Sequence, residues 1–145
     1  MAKYWLLKSE PEVYSIDTFA KDKKTNWDHV RNFQARNVLR ACRKGDFVLI
    51  YHSNEDRAVV GVAQVSKEAY PDIDPEKRGD WSQIDVQFVL KIANPVTLAT
   101  LKSTPTLKNL PLLKQSRLSC MEVGAKEFEI ILKMGGSWES FQKRK

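Results

Sequence analysis

The chain has 145 residues, 42% hydrophobic and 29% charged, with a net charge of +6 from 24 basic and 18 acidic side chains. That is the size of one domain and the composition of an ordinary globular chain, able to bury a core without disulfide or metal staples. No apolar run approaches the ~20 residues of a membrane span. The apolar stretch Tyr4–Leu7 before Lys8 is also shorter than the roughly 7–15 residues of a secretory signal, so a cytoplasmic protein with no membrane partner is expected.

Tyr4-Trp5-Leu6-Leu7 reads as a first strand, apolar on both faces, ended by Glu10-Pro11 because proline lacks the N–H of a ladder. Ser15 is placed to cap a short helix reaching Phe19, with Asp17 favourable in its first turn. Lys21 to Lys24 reads as a charged loop. Asn32 caps a second helix over about Gln34 to Arg43, in which Ala35, Val38, Leu39 and Cys42 fall at i, i+3, i+4 and i+7 and form one apolar stripe. Gly45 is the expected stop.

Phe47 to His52 and Val59 to Val65, joined by the polar turn Ser53 to Asp56, read as an antiparallel hairpin. Gly61 inside its second strand points to a bulge or a close backbone approach. Tyr70 to Asp80, with two prolines, a glycine and many charges, reads as a loop. From Trp81 the alternation of Ile84, Val86, Phe88, Leu90 and Ile92 with polar residues predicts a long half-buried strand. Short helical turns follow over residues 97–116, then a last strand over Leu118 to Val123 and a helix over Ala125 to Met134. Residues 135–145 read as a basic, mobile tail. Five strands with interspersed helices predict an α/β or α+β, barrel-like domain.

The charge is uneven. Residues 21–50 carry eight Lys/Arg against three Asp/Glu, residues 101–145 nine against four, and residues 51–100 five against eight. Basic segments attract phosphate backbones, though a merely solvated surface accounts for the charge equally well. The only cysteines are Cys42 and Cys120, and the only histidines His29 and His52. Their spacing does not match a zinc site, so no metal and no cofactor is expected. Neither a phosphate-binding glycine loop nor a dinucleotide, zinc-protease or serine-hydrolase motif occurs. No catalytic residue is assigned.

Polar residues concentrate at the strand ends, where binding groups can sit on a rigid scaffold. Tyr4 to Pro11 (YWLLKSEP), Trp27 to Asn37 (WDHVRNFQARN), Tyr51-His52-Ser53, Lys67 to Asp72 (KEAYPD), Trp81 to Phe88 (WSQIDVQF) and Arg117-Leu118-Ser119 together resemble the EVE domain family, in the family's order and across nearly the whole chain. Phe33, where the family often has tyrosine, and the short loop between Pro71 and Trp81 depart from the pattern. So does the lack of the N-terminal extension of animal members, which favours a prokaryotic source.

The resemblance implies a PUA-like mixed β-barrel with helices packed around it, residues 1–134 forming the EVE domain and residues 135–145 the tail. It implies a pocket for a modified nucleobase in DNA or RNA, or for a modified nucleoside. A flipped base needs flat apolar walls and a few edge partners, each aromatic wall being worth roughly 1–3 kcal/mol. Trp27, read as standing in a polar loop, is the first candidate wall. Tyr51 is a wall or a core residue with equal weight. Ser9, Asn32 and Ser53 can donate and accept at a base edge, Asp85 can accept from an exocyclic amine, and His52 can bond a base or phosphate. Asp85 and His52 also have plain structural readings, as a solvent-facing acid and a satisfied core histidine. Trp27, Ser9, Asn32, Tyr51 and Ser53 are expected to converge on one cavity, because the strand ends after Leu7 and Ile50 would lie side by side beneath the Trp27 segment. Lys8, Arg31 and Arg36 are the phosphate candidates. The alternative is an enzyme of the ASCH type, hydrolysing modified nucleosides with Lys8 and Glu10.

Overall fold

A computed structural model describes residues 3–54, 56–73 and 79–145. The chain runs β1 (Tyr4–Ser9), α1 (Ile16–Asp22), β2 (Lys24–Trp27), α2 (Phe33–Ala41), β3 (Phe47–His52), β4 (Ala58–Pro71), β5 (Ser82–Thr97), α3 (Leu98–Lys102), a 3-10 turn (Pro105–Leu107), α4 (Pro111–Lys114), β6 (Cys120–Val123), α5 (Ala125–Met134) and α6 (Trp138–Arg144). The strands form one six-stranded mixed sheet in the order β2-β5-β4-β3-β1-β6. Among the described residues only β1 and β3 pair in parallel, with Leu7 opposite Ile50 and Ser9 opposite His52. The chain ends beyond these two strands therefore emerge side by side.

The central strands explain themselves. All six residues of β3 are buried, and Trp5, Leu6 and Leu7 of β1 are too, which is why both read as continuous apolar runs. The buried carboxylate of Asp46 fixes the start of β3. It accepts from Trp5 Nε1 at 2.8 Å and from the amides of Lys3 and Arg43 at 3.0 and 2.9 Å, so every donor aimed at it is satisfied. In the β3–β4 ladder Ile50 faces Gly61 while Tyr51 faces Val59, leaving Val60 as an extra, bulged residue. Gly61 is required there, since a side chain would run into Ile16 of α1 and the Leu90 carbonyl.

The helices begin where their caps predict. Ser15 Oγ accepts from Thr18 N at 3.1 Å, and Asn32 Oδ1 accepts from Ala35 N at 2.9 Å. Ala35, Leu39 and Cys42 are fully buried beneath α2.

Three expectations change. The Lys21–Lys24 loop is not a loop: α1 continues to Asp22, Lys23 turns the chain at φ 67°, and Lys24 opens β2. Trp27 closes that strand, opposite Ile84 of β5, so it stands on a sheet edge rather than in a loop. Tyr70 and Pro71 extend β4, pairing with Gln83 and Ser82. The rest of the expected loop falls partly on residues 74–78, outside the described residues.

The tail is also ordered. Gly136 reverses the chain at φ 70°, α6 follows, and Phe141 is fully buried with its ring 4.8 Å from that of Phe47 and 5.1 Å from that of Phe128. Trp138 and Phe141, three apart, make the apolar face that holds α6 down. The burial of a phenylalanine contributes roughly 1.5–3 kcal/mol, enough to keep a short helix in place.

Candidate base-binding site

A cavity of about 380 Å³ opens where β1 and β2 end. Lys8, Ser9 and Glu10 form its floor, Val13 and Tyr14 one side, and Thr25 to His29 the other. The backbone holds these groups in place. The Glu10 carbonyl accepts from the Val13 and Tyr14 amides at 2.9 and 2.8 Å, and Ser9 Oγ donates to the Tyr14 carbonyl at 2.6 Å. That tight turn brings Tyr14 over the strand end. Its ring meets the Trp27 indole edge to face, centroids 6.4 Å apart at 82°. Two aromatic walls thus stand nearly at right angles. Burial raises the Tyr14 phenol above its ordinary pKa, a bond to Thr25 works the other way, and the neighbouring Asp22 carboxylate, 2.9 Å from the hydroxyl, adds to the rise.

The polar groups on the far side form a linked set. Asn26 Nδ2 donates to Asp28 Oδ2 at 3.1 Å and to Gln83 Oε1 at 3.0 Å, and His29 Nε2 lies 3.5 Å from Asp28 Oδ2. His29 has φ 60°, an uncommon conformation for a residue with a Cβ. It is held by its amide donating to Asp72 Oδ2 at 3.0 Å. The same oxygen accepts from Arg31 Nη1 at 2.9 Å. Burial pushes the Asp72 carboxyl up, but the Arg31 hydrogen bond, the His29 amide and the Arg31 charge outweigh it and hold the pKa below its ordinary 3.8. Lys8 reaches across the floor and donates to the Ser116 carbonyl at 2.7 Å, with burial lowering its amine pKa.

The structure brings Ser9, Trp27 and Lys8 of the expected set to this cavity and leaves the others outside its lining. Asn32 spends its side-chain oxygen on the α2 cap and borders a neighbouring cleft instead. Tyr51 is buried on β3 beside Lys8, whose amine lies 5.8 Å from its ring centre. Ser53 sits against the Ser9 carbonyl, which accepts its amide at 2.9 Å. His52 is buried. Its Nε2 accepts from the Ile16 amide at 3.0 Å and its Nδ1 faces Asp56 at 2.8 Å, so it ties β3 to α1 and has no ring nitrogen to spare. Asp85 accepts from the Tyr70 hydroxyl. Arg36 donates to the Asp80 carbonyl at 3.1 Å and to Asn37 Oδ1, with its guanidinium 5.1 Å from the ring centre of the exposed Phe33. Tyr14, Val13, Thr25, Asn26, Asp28 and His29 were not foreseen. The signal was available in part: Val13 and Tyr14 lie just beyond Glu10, and Asp28 and His29 stand inside the Trp27 to Asn37 stretch, whereas Thr25 and Asn26 belong to a strand that was not predicted.

The EVE domain family model matches residues 3–134. The chain belongs to the EVE domain family. Human thymocyte nuclear protein 1 is 37% identical to this EVE domain over 92% of the chain and 74% of its own length. The crystal structure of that human protein in complex with DNA containing 5-methylcytosine aligns with a TM-score of 0.85 at 36% identity, covering 92% of this chain and 98% of the other. A hypothetical protein from Leishmania major aligns with a TM-score of 0.89 at 41% identity, over 96% and 98% of the two chains. The YTH domain of a Zygosaccharomyces rouxii protein, solved with N6-methyladenosine RNA, aligns at 0.57 with 16% identity over 92% and 86%. That likeness shows a shared fold. The mixed α/β, PUA-like architecture expected of the family is thus the one observed. Among the described residues no helix is long and apolar enough to cross a membrane, and no group of three or more potential metal ligands occurs.

Proposed function

We propose that this EVE domain holds one modified nucleobase of DNA or RNA, without chemically altering it, in the cavity between the end of β1 and the Thr25–His29 segment. The observation that carries the reading is the right-angled pair of Tyr14 and Trp27 above a floor of polar groups. Flat walls and edge partners are what an extruded base requires. A cavity of about 380 Å³ lies at the small end of ligand pockets, roughly 300–1,000 Å³. The human relative, similar across nearly the whole chain and solved with 5-methylcytosine DNA, supports the same ligand class. Asp28 can accept from an exocyclic amine, and Asn26 and Thr25 can donate or accept at the remaining edge. Arg31, engaged with Asp72, positions the His29 segment in this reading. Two buried free thiols, Cys42 and Cys120, support an intracellular setting.

A second reading is hydrolysis of a modified nucleoside. It draws on Lys8 and Glu10 sharing the cavity and on burial lowering the Lys8 amine, the direction a lysine base needs. Both are tested together. Oligonucleotides carrying 5-methylcytosine, 5-hydroxymethylcytosine, N6-methyladenine or no modification are titrated against the full chain, and acetylated and methylated cytidines are incubated with it and separated by chromatography. One modified oligonucleotide is expected to bind more tightly than its plain counterpart, and the nucleosides to remain intact. Equal affinity for all oligonucleotides overturns base recognition. Product that disappears in Lys8→Ala or Glu10→Ala establishes the hydrolase.

A further inference from the structure

Next to the base cavity lies a second cleft, of about 390 Å³, bordered by Asn32 and Gln34 at the start of α2 and by the Lys114–Leu118 segment. The two share a wall. Lys8 lines the first, and its amine donates to the Ser116 carbonyl in the second; its backbone amide donates to Ser119 at 2.9 Å. Among the described residues no carboxylate borders the second cleft. Its side chains are amides, a hydroxyl, one leucine and two cations.

The state of the cations decides what the cleft can take. Arg31 is paired with Asp72, Arg40 with Asp80, and Arg43 lies 3.8 Å from Glu68. Three cations of the basic stretch around α2 are thus engaged with acids, and Arg36 is held by the Asp80 carbonyl and Asn37 Oδ1. Lys114 and Arg117 are exposed, and among the described residues their side chains make no ion pair or hydrogen bond. Two uncompensated cations with neutral donors and no acid suit an anion, and phosphate contacts are drawn from these side-chain types. Because the cleft adjoins the base cavity, the anion nearest to hand is the backbone of the strand that carries the base.

We propose that the Lys114–Arg117 cleft binds the phosphodiester backbone flanking the base held between Tyr14 and Trp27. The assignment rests on the base-binding reading, and it moves the backbone path from Arg31 and Arg36 to the α4–β6 connection. Such contacts carry affinity and register but no sequence information.

The test compares two double variants of the full chain. Lys114→Gln with Arg117→Gln removes the cleft's charge. Lys3→Gln with Lys126→Gln removes the same charge at the other end of β1, where Tyr4 faces Val123. Each is titrated with a single-stranded 5-methylcytosine oligonucleotide over a salt series, with the unmodified oligonucleotide, and with free 5-methyl-2′-deoxycytidine and its 5′-monophosphate. The cleft variant is expected to lose about tenfold in oligonucleotide affinity, and its log–log salt slope to fall by about 1.4 for two single-strand phosphates. Preference for the methylated base and affinity for the nucleoside are expected to stay as in wild type. An unchanged slope, or an equal fall in the control variant, overturns the proposal. A 5′-monophosphate that binds as tightly as the oligonucleotide overturns the strand assignment and makes the cleft a site for one nucleotide's phosphate. If the slope falls as expected while no oligonucleotide preference or nucleoside binding is seen, base recognition fails and the backbone site stands.

Discussion

Arg31 and Asp72 lie forty-one positions apart, yet Arg31 Nη1 donates to Asp72 Oδ2 at 2.9 Å in a part-buried ion pair. The pair joins the segment before α2 to the residue just beyond β4. The same carboxylate oxygen takes the His29 amide, so one contact sets the conformation of a residue that borders the proposed base cavity. A charge read from sequence as a free phosphate ligand is thereby a structural fastening.

Asp72→Asn is expected to cost about 2 kcal/mol of stability, the scale of a hydrogen bond to a charged group, and to weaken base binding by releasing the His29 segment. The pH dependence follows from the sign of the shift. The folded-state pKa of Asp72 lies below its ordinary 3.8, so the stabilisation is complete above that value and is lost as pH falls through the folded pKa. Denaturation midpoints are therefore expected to change little through this group between pH 7 and 5. Below pH 4 wild type should lose more than Asp72→Asn. Parallel acid profiles of the two proteins would remove Asp72 from this role.

Trp27 is only 9% exposed, which alters what its removal does. A ring standing in a loop could be deleted with little loss of stability. A ring that closes an edge strand and packs against Tyr14 cannot, and Trp27→Ala is expected to cost 3–5 kcal/mol of stability, the range for large aromatic deletions (~4 kcal/mol centrally). Trp27→Phe keeps a wall of smaller area. It is expected to fold with a modest loss and to bind the base several-fold more weakly. Urea midpoints and oligonucleotide titrations of both variants check the separation. If Trp27→Phe binds as wild type does, the indole is a core anchor.

Local pattern carried much of the fold. The apolar stripe of α2, the caps at Ser15 and Asn32, the alternation through β5 and the helix from Ala125 to Met134 each follow from neighbours in sequence, so period and capping chemistry suffice. Gly61 betrayed its bulge for the same reason. What was not legible depended on distant partners. β2 is four mostly polar residues made a strand by pairing with β5, and nothing in Lys24–Trp27 alone requires that. Arg31 looks like any exposed arginine until Asp72 is beside it. Asn32 and His52 have the right chemistry for a base edge, but the Asn32 side-chain oxygen is committed to the Ala35 amide and the two His52 ring nitrogens to the Ile16 amide and Asp56. The expected pocket was drawn from strand ends that do meet. It missed Tyr14 because the Glu10 turn that delivers it is a backbone arrangement without a strong sequence mark.

Phe141 gives a direct measure of the C-terminal segment. Phe141→Ala is expected to destabilise the domain by about 3–5 kcal/mol, because the ring is fully buried between Phe47 and Phe128. Truncation after Met134 should do at least as much. A calorimetric midpoint unchanged by either alteration would mean that α6 contributes nothing to the folded core.

Asp28 is where base identity should be decided. Its carboxylate borders the cavity, is one-third exposed and, among the described residues, holds only Asn26 Nδ2 at 3.1 Å with the His29 ring at 3.5 Å. An ionised carboxylate can only accept. It therefore favours bases that present an exocyclic amine, as cytosine and adenine do, over thymine, which presents a carbonyl at the equivalent place. Asp28→Asn keeps the shape and substitutes one donor for an acceptor. The variant is expected to lose about 1–3 kcal/mol of discrimination between 5-methylcytosine and thymine in otherwise identical oligonucleotides. Its salt slope should stay at the wild-type value, since Asp28 touches no backbone phosphate in this arrangement. The two readouts separate the causes of any loss. A fall in both affinities with the ratio preserved would mean that the substitution has loosened the Asn26–His29 segment and that Asp28 positions the wall without reading the base. A ratio that collapses while the thymine affinity holds or rises assigns the amine contact to Asp28.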